Sequence, residues 1–161
     1  MVKAANVSQA RTILELGPGT GAFTSLIHST MPAGGRYLGL DMNPTFIARL
    51  SQRHPDLRFV AAAAQDFDFN NFLGEGEQFD AIISGLPWTA FPEALQIAIL
   101  DHVMPRLKPG GVLTTFAYTG FHRLPSGQHF RDLLRKHCTS LTTTRTVWLN
   151  LPPAFVYAAV K

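Results

Sequence analysis

Ile13-Leu14-Glu15-Leu16-Gly17-Pro18-Gly19-Thr20-Gly21-Ala22-Phe23-Thr24 carries an apolar run into three alternating glycines, and a helix-like pattern follows at once. The stretch therefore reads as a strand that turns directly into a helix. Gly17, Gly19 and Gly21 permit a tight turn and let a ligand come close to the backbone, where a Cβ would block it. The amides that open the next helix point into the same space. Glycines at this spacing also mark ordinary strand-to-helix turns, so the residues around them decide the reading.

Outward from this turn, apolar segments alternate with helical patterns along the whole chain, as in a parallel α/β sheet. Strands are expected over 12–16, 36–41, 57–61, 79–84 and 112–118. Helices are expected from the glycine turn to Ser29, from Pro44 to just before Pro55, over 92–107 and over 127–137. Asn43 suits an N-cap and Pro44 the first helical position, with Phe46, Ile47 and Leu50 as the buried face. Residues 140–149 are threonine-rich and β-branched, Pro152-Pro153 interrupts them, and 154–160 reads as a further strand. Two strands joined by so short a link pair antiparallel.

A chain of 161 residues with 46% hydrophobic content can bury one sizeable core, so residues 1–161 are read as a single domain. The net charge of +3 and the pI of about 9.4 permit contact with phosphates or an anionic membrane without requiring it. Cys138 is the one cysteine, which excludes an internal disulfide and offers no metal-ligand spacing. No apolar run reaches the roughly 20 residues that span a bilayer, and residues 1–11 lack the apolar centre of a secretory signal. The expected place is the cytoplasm, or the inner face of a membrane as a peripheral protein.

Glu15 narrows what the glycine turn holds. A carboxylate two residues ahead of the first glycine repels a pyrophosphate but welcomes an amino group and a sulfonium. The acidic residue followed by G-x-G-x-G resembles motif I of the Rossmann-like methyltransferases that use S-adenosyl-L-methionine (SAM). The resemblance implies a mostly parallel seven-stranded sheet of order 3-2-1-4-5-7-6 with a C-terminal antiparallel hairpin. It also implies that Glu15 lies near the methionine end of the cofactor, beside Gly17, Gly19 and Gly21. Asp41 stands 20 positions after Gly21, a spacing that suits a carboxylate accepting from both ribose hydroxyls. The alternative, a helix cap, is a role that Asn43 fills better. Met42 is a candidate surface for the adenine ring or a filler of the core. Gln65 and Asp66 resemble the motif that contacts the adenine amino group, and a solvated loop is the plainer reading of Asp66.

Ser84-Gly85-Leu86-Pro87-Trp88 resembles the corresponding string of the bacterial phospholipid N-methyltransferases, which methylate phosphatidylethanolamine stepwise. Trp148-Leu149-Asn150-Leu151-Pro152-Pro153-Ala154-Phe155-Val156-Tyr157 resembles the C-terminal motif of the same family. The resemblance makes Ser84 and Trp88 the catalytic residues, with Ser84 also at the cofactor. Gly85, Leu86, Pro87, Tyr118, Arg123, Asn150 and Tyr157 then belong to the substrate. Trp88 also reads as a core anchor. Trp88, Tyr118 and Tyr157 are candidates to face a developing quaternary cation, and Arg123 to fork onto a lipid phosphate. His102 and His122 are candidate bases or plain surface histidines. Arg131, Arg135 and Lys136 form a solvated basic face or a contact with an anionic membrane.

Three functions follow as expectations. The first is a SAM-dependent enzyme methylating a phospholipid amine. The second is an adenine N-methyltransferase acting on nucleic acid, which Ser84 disfavours because a hydroxyl cannot replace the carboxamide oxygen usual there. The third is a SAM-binding domain without activity, suggested because Val2, Ala4, Ala5 and Val7 are too few to build the N-terminal lid that family members carry. No metal is expected.

Overall fold

Ile13 and Leu14 are sequence neighbours, both fully buried, and they belong to separate apolar clusters. Successive side chains of a strand point to opposite faces, so this strand is covered on both sides, as a parallel sheet between helices requires. The computed structural model, which describes residues 1–161, contains seven strands in one sheet. They are β1 (Thr12–Leu16), β2 (Arg36–Asp41), β3 (Arg58–Ala61), β4 (Phe79–Ser84), β5 (Leu107–Tyr118), β6 (Ser140–Thr143) and β7 (Ala154–Val160). The order is β3-β2-β1-β4-β5-β7-β6. Strands β1 to β5 run parallel, and β7 lies antiparallel between β5 and β6. The helices are α1 (Thr24–Thr30), α2 (Pro44–Arg53), α3 (Glu93–Val103) and α4 (Pro125–His137). This is the expected Rossmann-like α/β fold.

The larger cluster joins Leu14, Leu16, Leu38 and Leu40 to Leu100 of α3 and Leu134 of α4. The smaller one, on the other face, joins Ile13, Tyr37 and Ile83 to Ile27 of α1. Val2, Ala5, Val7 and Ala10 are buried in that smaller cluster, so the residues ahead of β1 pack beneath the sheet.

Three boundaries and one helix face differ from expectation by more than two residues or by burial. Strand β6 stops at Thr143 instead of reaching 149 because the Thr144 hydroxyl accepts from the Val156 amide at 3.0 Å, taking a rung that a backbone carbonyl would hold. Beyond it only the isolated bridge Val147–Ala154 remains. Helix α3 ends at Val103, and Met104–Arg106 tightens into a 3-10 turn around Pro105, which has no amide hydrogen to continue the helix. Strand β5 starts early, at Leu107, and its register against β4 shifts between Phe79 and Ala81. Of the expected apolar face of α2 only Leu50 is fully buried, whereas Phe46 and Ile47 are half-buried. Asn43 does cap that helix, its side chain accepting from the Thr45 amide at 2.9 Å.

Glu15 is fully buried on the face of the smaller cluster. Tyr37 of β2 donates to its Oε2 at 2.5 Å and Thr24 of α1 donates to the same atom at 2.9 Å. Its Oε1 has no partner. Burial outweighs those two hydrogen bonds and lifts the carboxyl from 4.5 to about 7. Between those pH values the folded chain keeps a proton that the unfolded chain has released. Stability is therefore expected to fall as pH rises from 4.5 through about 7 and to level off above. The fall amounts to about 3 kcal/mol, since each pH unit between the two values costs about 1.4 kcal/mol. Urea midpoints across that range check it: Glu15→Gln should flatten the slope, and an equal slope in the variant would refute the assignment.

The carboxyl ends of β1 and β4 meet backbone to backbone. The Gly85 amide donates to the Leu16 carbonyl at 2.7 Å, and a Cβ on Gly85 would stand 2.6 Å from the Gly17 carbonyl oxygen. Neither backbone atom can yield without breaking the sheet. Gly85→Ala is expected to cost about 1–3 kcal/mol as overpacking, visible as a lower urea midpoint; an unchanged midpoint would show that the strand ends have slack.

Candidate functional site

Strand order reverses between β1 and β4, and ligands of open α/β sheets bind beyond the carboxyl ends of the strands at such a point. A cavity of about 440 Å³ opens there, a size usual for a ligand bed. Gly17, Gly19, Asp41, Met42 and Gln65 line it together with Gly85, Leu86 and Pro87, so expected cofactor residues from three separate segments converge there with three residues expected at the substrate. A larger concavity of about 670 Å³ lies elsewhere, around Gly74 and Pro105, with polar walls and one apolar side chain, Leu73. It lacks the apolar bed of the first.

Asp41 carries most of the polar geometry. Its Oδ2 accepts from the Gly19 amide at 3.0 Å and its Oδ1 from the Asn43 amide at 2.9 Å. A carboxylate has about four acceptor positions, so two stay open beside the cavity. The carboxylate thus ties the glycine turn, whose Gly17, Gly19 and Gly21 have φ of 65°, 56° and 90°, to the start of α2. The Gly17 amide donates to the Leu40 carbonyl at 2.8 Å, closing the turn onto β2.

Several expected residues stand elsewhere. Glu15 shares the face of Ile13, whereas the cavity floor includes Leu40 of the opposite face, so its carboxylate lies behind the turn rather than in its mouth. Gly21 packs on α2: a Cβ there would meet Leu50 at 2.7 Å. Asp66 is exposed and accepts from Gln65 Nε2 at 3.1 Å, outside the cavity wall. Ser84 is fully buried, and its Oγ accepts from the Leu86 amide at 3.3 Å and from Trp88 Nε1 at 3.1 Å. Its hydroxyl therefore holds the Leu86–Trp88 turn in shape and is a positioning group rather than one that meets a ligand directly.

Trp88 is nearly buried and stacks on Phe130 of α4, with ring centroids 4.5 Å apart and planes 18° from parallel. Its role as a core anchor is thus real. It also walls a small cleft with Phe116, Tyr118, Phe130 and Tyr157. Leu86 and Pro87 belong both to this cleft and to the larger cavity, so the two open on either side of one dipeptide. Arg123 stands outside the cleft in an adjoining groove. Asn150 is farther off, its side chain donating to the Pro152 carbonyl at 3.3 Å, in an apolar hollow that shares Tyr118 with the cleft. His102 is bonded to the Phe67 carbonyl at 2.8 Å away from the site, whereas His122 is part of the cleft wall.

Sequence reading missed the apolar wall of the cavity. Phe91, Leu95 and Ile99 recur every four residues at and along α3 and present one stripe to it. That spacing was visible, but a stripe facing a ligand has the same period as one facing the core.

Comparison with known proteins agrees with the fold. A family model described as a methyltransferase domain matches residues 13–111. The ornithine lipid N-methyltransferase of Singulisphaera acidiphila is 30% identical over 156 residues, covering 92% of this chain and 74% of that protein. The trans-aconitate 2-methyltransferase of Escherichia coli O1:K1 / APEC is 34% identical over 101 residues, but the match covers 63% of this chain and only 36% of that enzyme. The N-methyltransferase NodS from Bradyrhizobium japonicum WM9 superposes with a TM-score of 0.74 at 19% identity, covering 99% of this chain and 93% of its own. NodS has also been solved with S-adenosyl-L-homocysteine (SAH), where the TM-score is 0.73 at 18% identity, with coverage of 99% and 84%. Identities that low speak for the fold alone. With the family match spanning residues 13–111 and a relative aligned over 92% of this chain, the chain belongs to the class I SAM-dependent methyltransferases.

Proposed function

We propose that the chain methylates the amine of a membrane-lipid head group, holding SAM in the cavity at the β1–β4 switch point and the amine in the aromatic cleft beside it. The observation that carries the reading is the shared Leu86–Pro87 wall, with an apolar bed on one side and a box of aromatic rings on the other. The cavity residues fit the cofactor. Gly17 leaves room where a Cβ would stand 2.8 Å from Leu86, Asp41 keeps acceptor positions for ribose hydroxyls, and Met42 and Gln65 flank the place for adenine. When bound there, SAM supplies a methyl carbon already activated by its sulfonium.

The rest of the work falls to the chain. Methyl transfer asks mainly for alignment and exclusion of water, and the Ser84–Trp88 hydrogen bond with the Trp88–Phe130 stack makes that wall stiff. An alkylammonium must lose a proton before it can act as a nucleophile, and His122, on the cleft wall, is the titratable group suited to take it. The charge that remains on a methylated nitrogen is stabilised by the faces of Trp88, Tyr118 and Tyr157.

Lipid is favoured over a soluble amine by the loop between β6 and β7. Trp148 is 73% exposed, Leu149 100% and Leu151 97%, an apolar tip of the kind that settles into a lipid interface. No helix is long and apolar enough to cross a membrane, so contact through this tip is peripheral. The relative named for an ornithine lipid supports the same class of acceptor. An adenine acceptor is disfavoured, since Ser84 offers no carbonyl oxygen and its hydroxyl is committed to Trp88.

Two measurements test the reading. With methyl-labelled SAM, label is expected in the head-group nitrogen of phosphatidylethanolamine or ornithine-lipid vesicles; label in trans-aconitate or RNA with none in lipid would overturn it. For the cofactor site, SAH at 100 times its dissociation constant should stabilise the protein by about 2.7 kcal/mol. Asp41→Ala is expected to remove most of that shift, and a full shift in the variant would sink the ribose role.

A further inference from the structure

The groove that adjoins the aromatic cleft has a chemistry that the amine alone does not use. It encloses about 470 Å³ between α4, β6 and the turn after β5, and Arg123, Arg131 and Arg135 line it with no carboxylate among its walls. The nearest acid, Asp132, takes Arg131 Nε and Arg135 NH1, each at 3.2 Å, leaving the other donors of both guanidinium groups unspent on carboxylates. Arg123 has no acidic partner within ion-pair distance of its own. Three cations around one depression, offset by a single carboxylate, repel one another unless an anion joins them.

Position gives the groove its meaning. His122 and Tyr157 are walls of both the groove and the aromatic cleft, so a ligand lying across them reaches both. One side takes a cation by aromatic faces and the other takes an oxyanion by guanidinium forks. We infer that the groove binds the oxyanion of the same zwitterionic head group whose amine enters the cleft, a phosphodiester or a carboxylate, so that substrate choice rests on a charge pair and not on the amine alone. This rests on the amine reading of the cleft. It assigns to Arg131 and Arg135 a role in specificity.

Binding is read first, without turnover, using ethanolamine, O-phosphoethanolamine and inorganic phosphate on the SAH-bound protein. The wild type is expected to bind O-phosphoethanolamine about ten-fold or more tightly than ethanolamine, the worth of one good charge-assisted contact. It should also bind it more tightly than inorganic phosphate. Arg131→Gln/Arg135→Gln should erase the preference over ethanolamine, and Arg123→Gln, on a separate segment, should weaken it. A retained SAH melting shift certifies that each variant is folded. In turnover on phosphatidylethanolamine or ornithine-lipid vesicles, the double variant should raise KM far more than it lowers kcat. A preference that survives in all the variants overturns the groove, as does inorganic phosphate binding as tightly as O-phosphoethanolamine. If lipid is methylated and the preference does not move, the groove falls and the amine reading stands. If the preference moves as expected but no amine accepts a methyl group, the groove stands as an anion site and the amine reading falls.

Discussion

The whole site hangs on the closeness of two backbones. Gly85 at the end of β4 and Gly17 at the end of β1 touch without side chains between them, and the Leu16 carbonyl takes the Gly85 amide. The Gly17 amide in turn goes to Leu40, and the Gly19 amide goes to Asp41. Three strand ends are therefore laced together by main-chain donors. Because the backbone secures the frame, Met42, Leu86 and the open acceptor positions of Asp41 are left to line the cavity. A frame made of peptide groups also keeps its shape when the side chains around it vary, which suits a fold that serves many acceptors.

Three zones with different physics lie along the carboxyl edge, each from a different part of the chain. The cavity is apolar because α3 gives it Leu95 and Ile99. The cleft is aromatic because β5, β7 and α4 contribute Tyr118, Tyr157 and Phe130 to one spot. The groove is cationic because α4 turns Arg131 and Arg135 toward β6. Helix α4 serves the last two at once: Phe130 stacks on Trp88, and the next residue, Arg131, lines the groove. Adjacent residues on a helix point about 100° apart, so one turn of α4 can serve both zones.

The strands themselves, the glycine turn and the place of Asp41 at the end of β2 were legible in the sequence because each rests on local information, such as a strand length, a turn residue or a fixed spacing. The sheet order came instead from the resemblance to the methyltransferases, since no local pattern says which strands pair. The direction of Glu15 was legible as well, though the motif obscured it. Strand alternation places it on the face of Ile13, away from Leu14 and Leu16, and the cavity lies on the latter side. Ser84 was not legible in this way, since alternation gives a face but never a partner, and its partner, Trp88, is reached only after a turn. The arginine groove was visible only in parts, as a basic face of one helix and a separate Arg123 after the fifth strand. Arg123, Arg131 and Arg135 become a group through the return of β6, a contact between distant segments that no local pattern encodes. The early end of β6 was hidden for a related reason, because a threonine hydroxyl that replaces one rung has the same β-branched profile as a threonine within a strand.

Strand β7 follows β6 in the chain, yet it lies between β6 and β5 in the sheet. In synthesis from the amino end, β6 emerges from the ribosome with no edge to join, because its neighbour has not yet been made. The parallel part, with the glycine turn and the β1–β4 junction, can close first, while β6 and the arginine side of α4 wait for the segment Ala154–Val160. The two halves of the carboxyl edge, the glycine turn and the arginine groove, thus mature at different moments. A translational pause or a stop codon ahead of β7 would leave a chain with its nucleotide half assembled and a bare β5 edge open to pairing with another molecule.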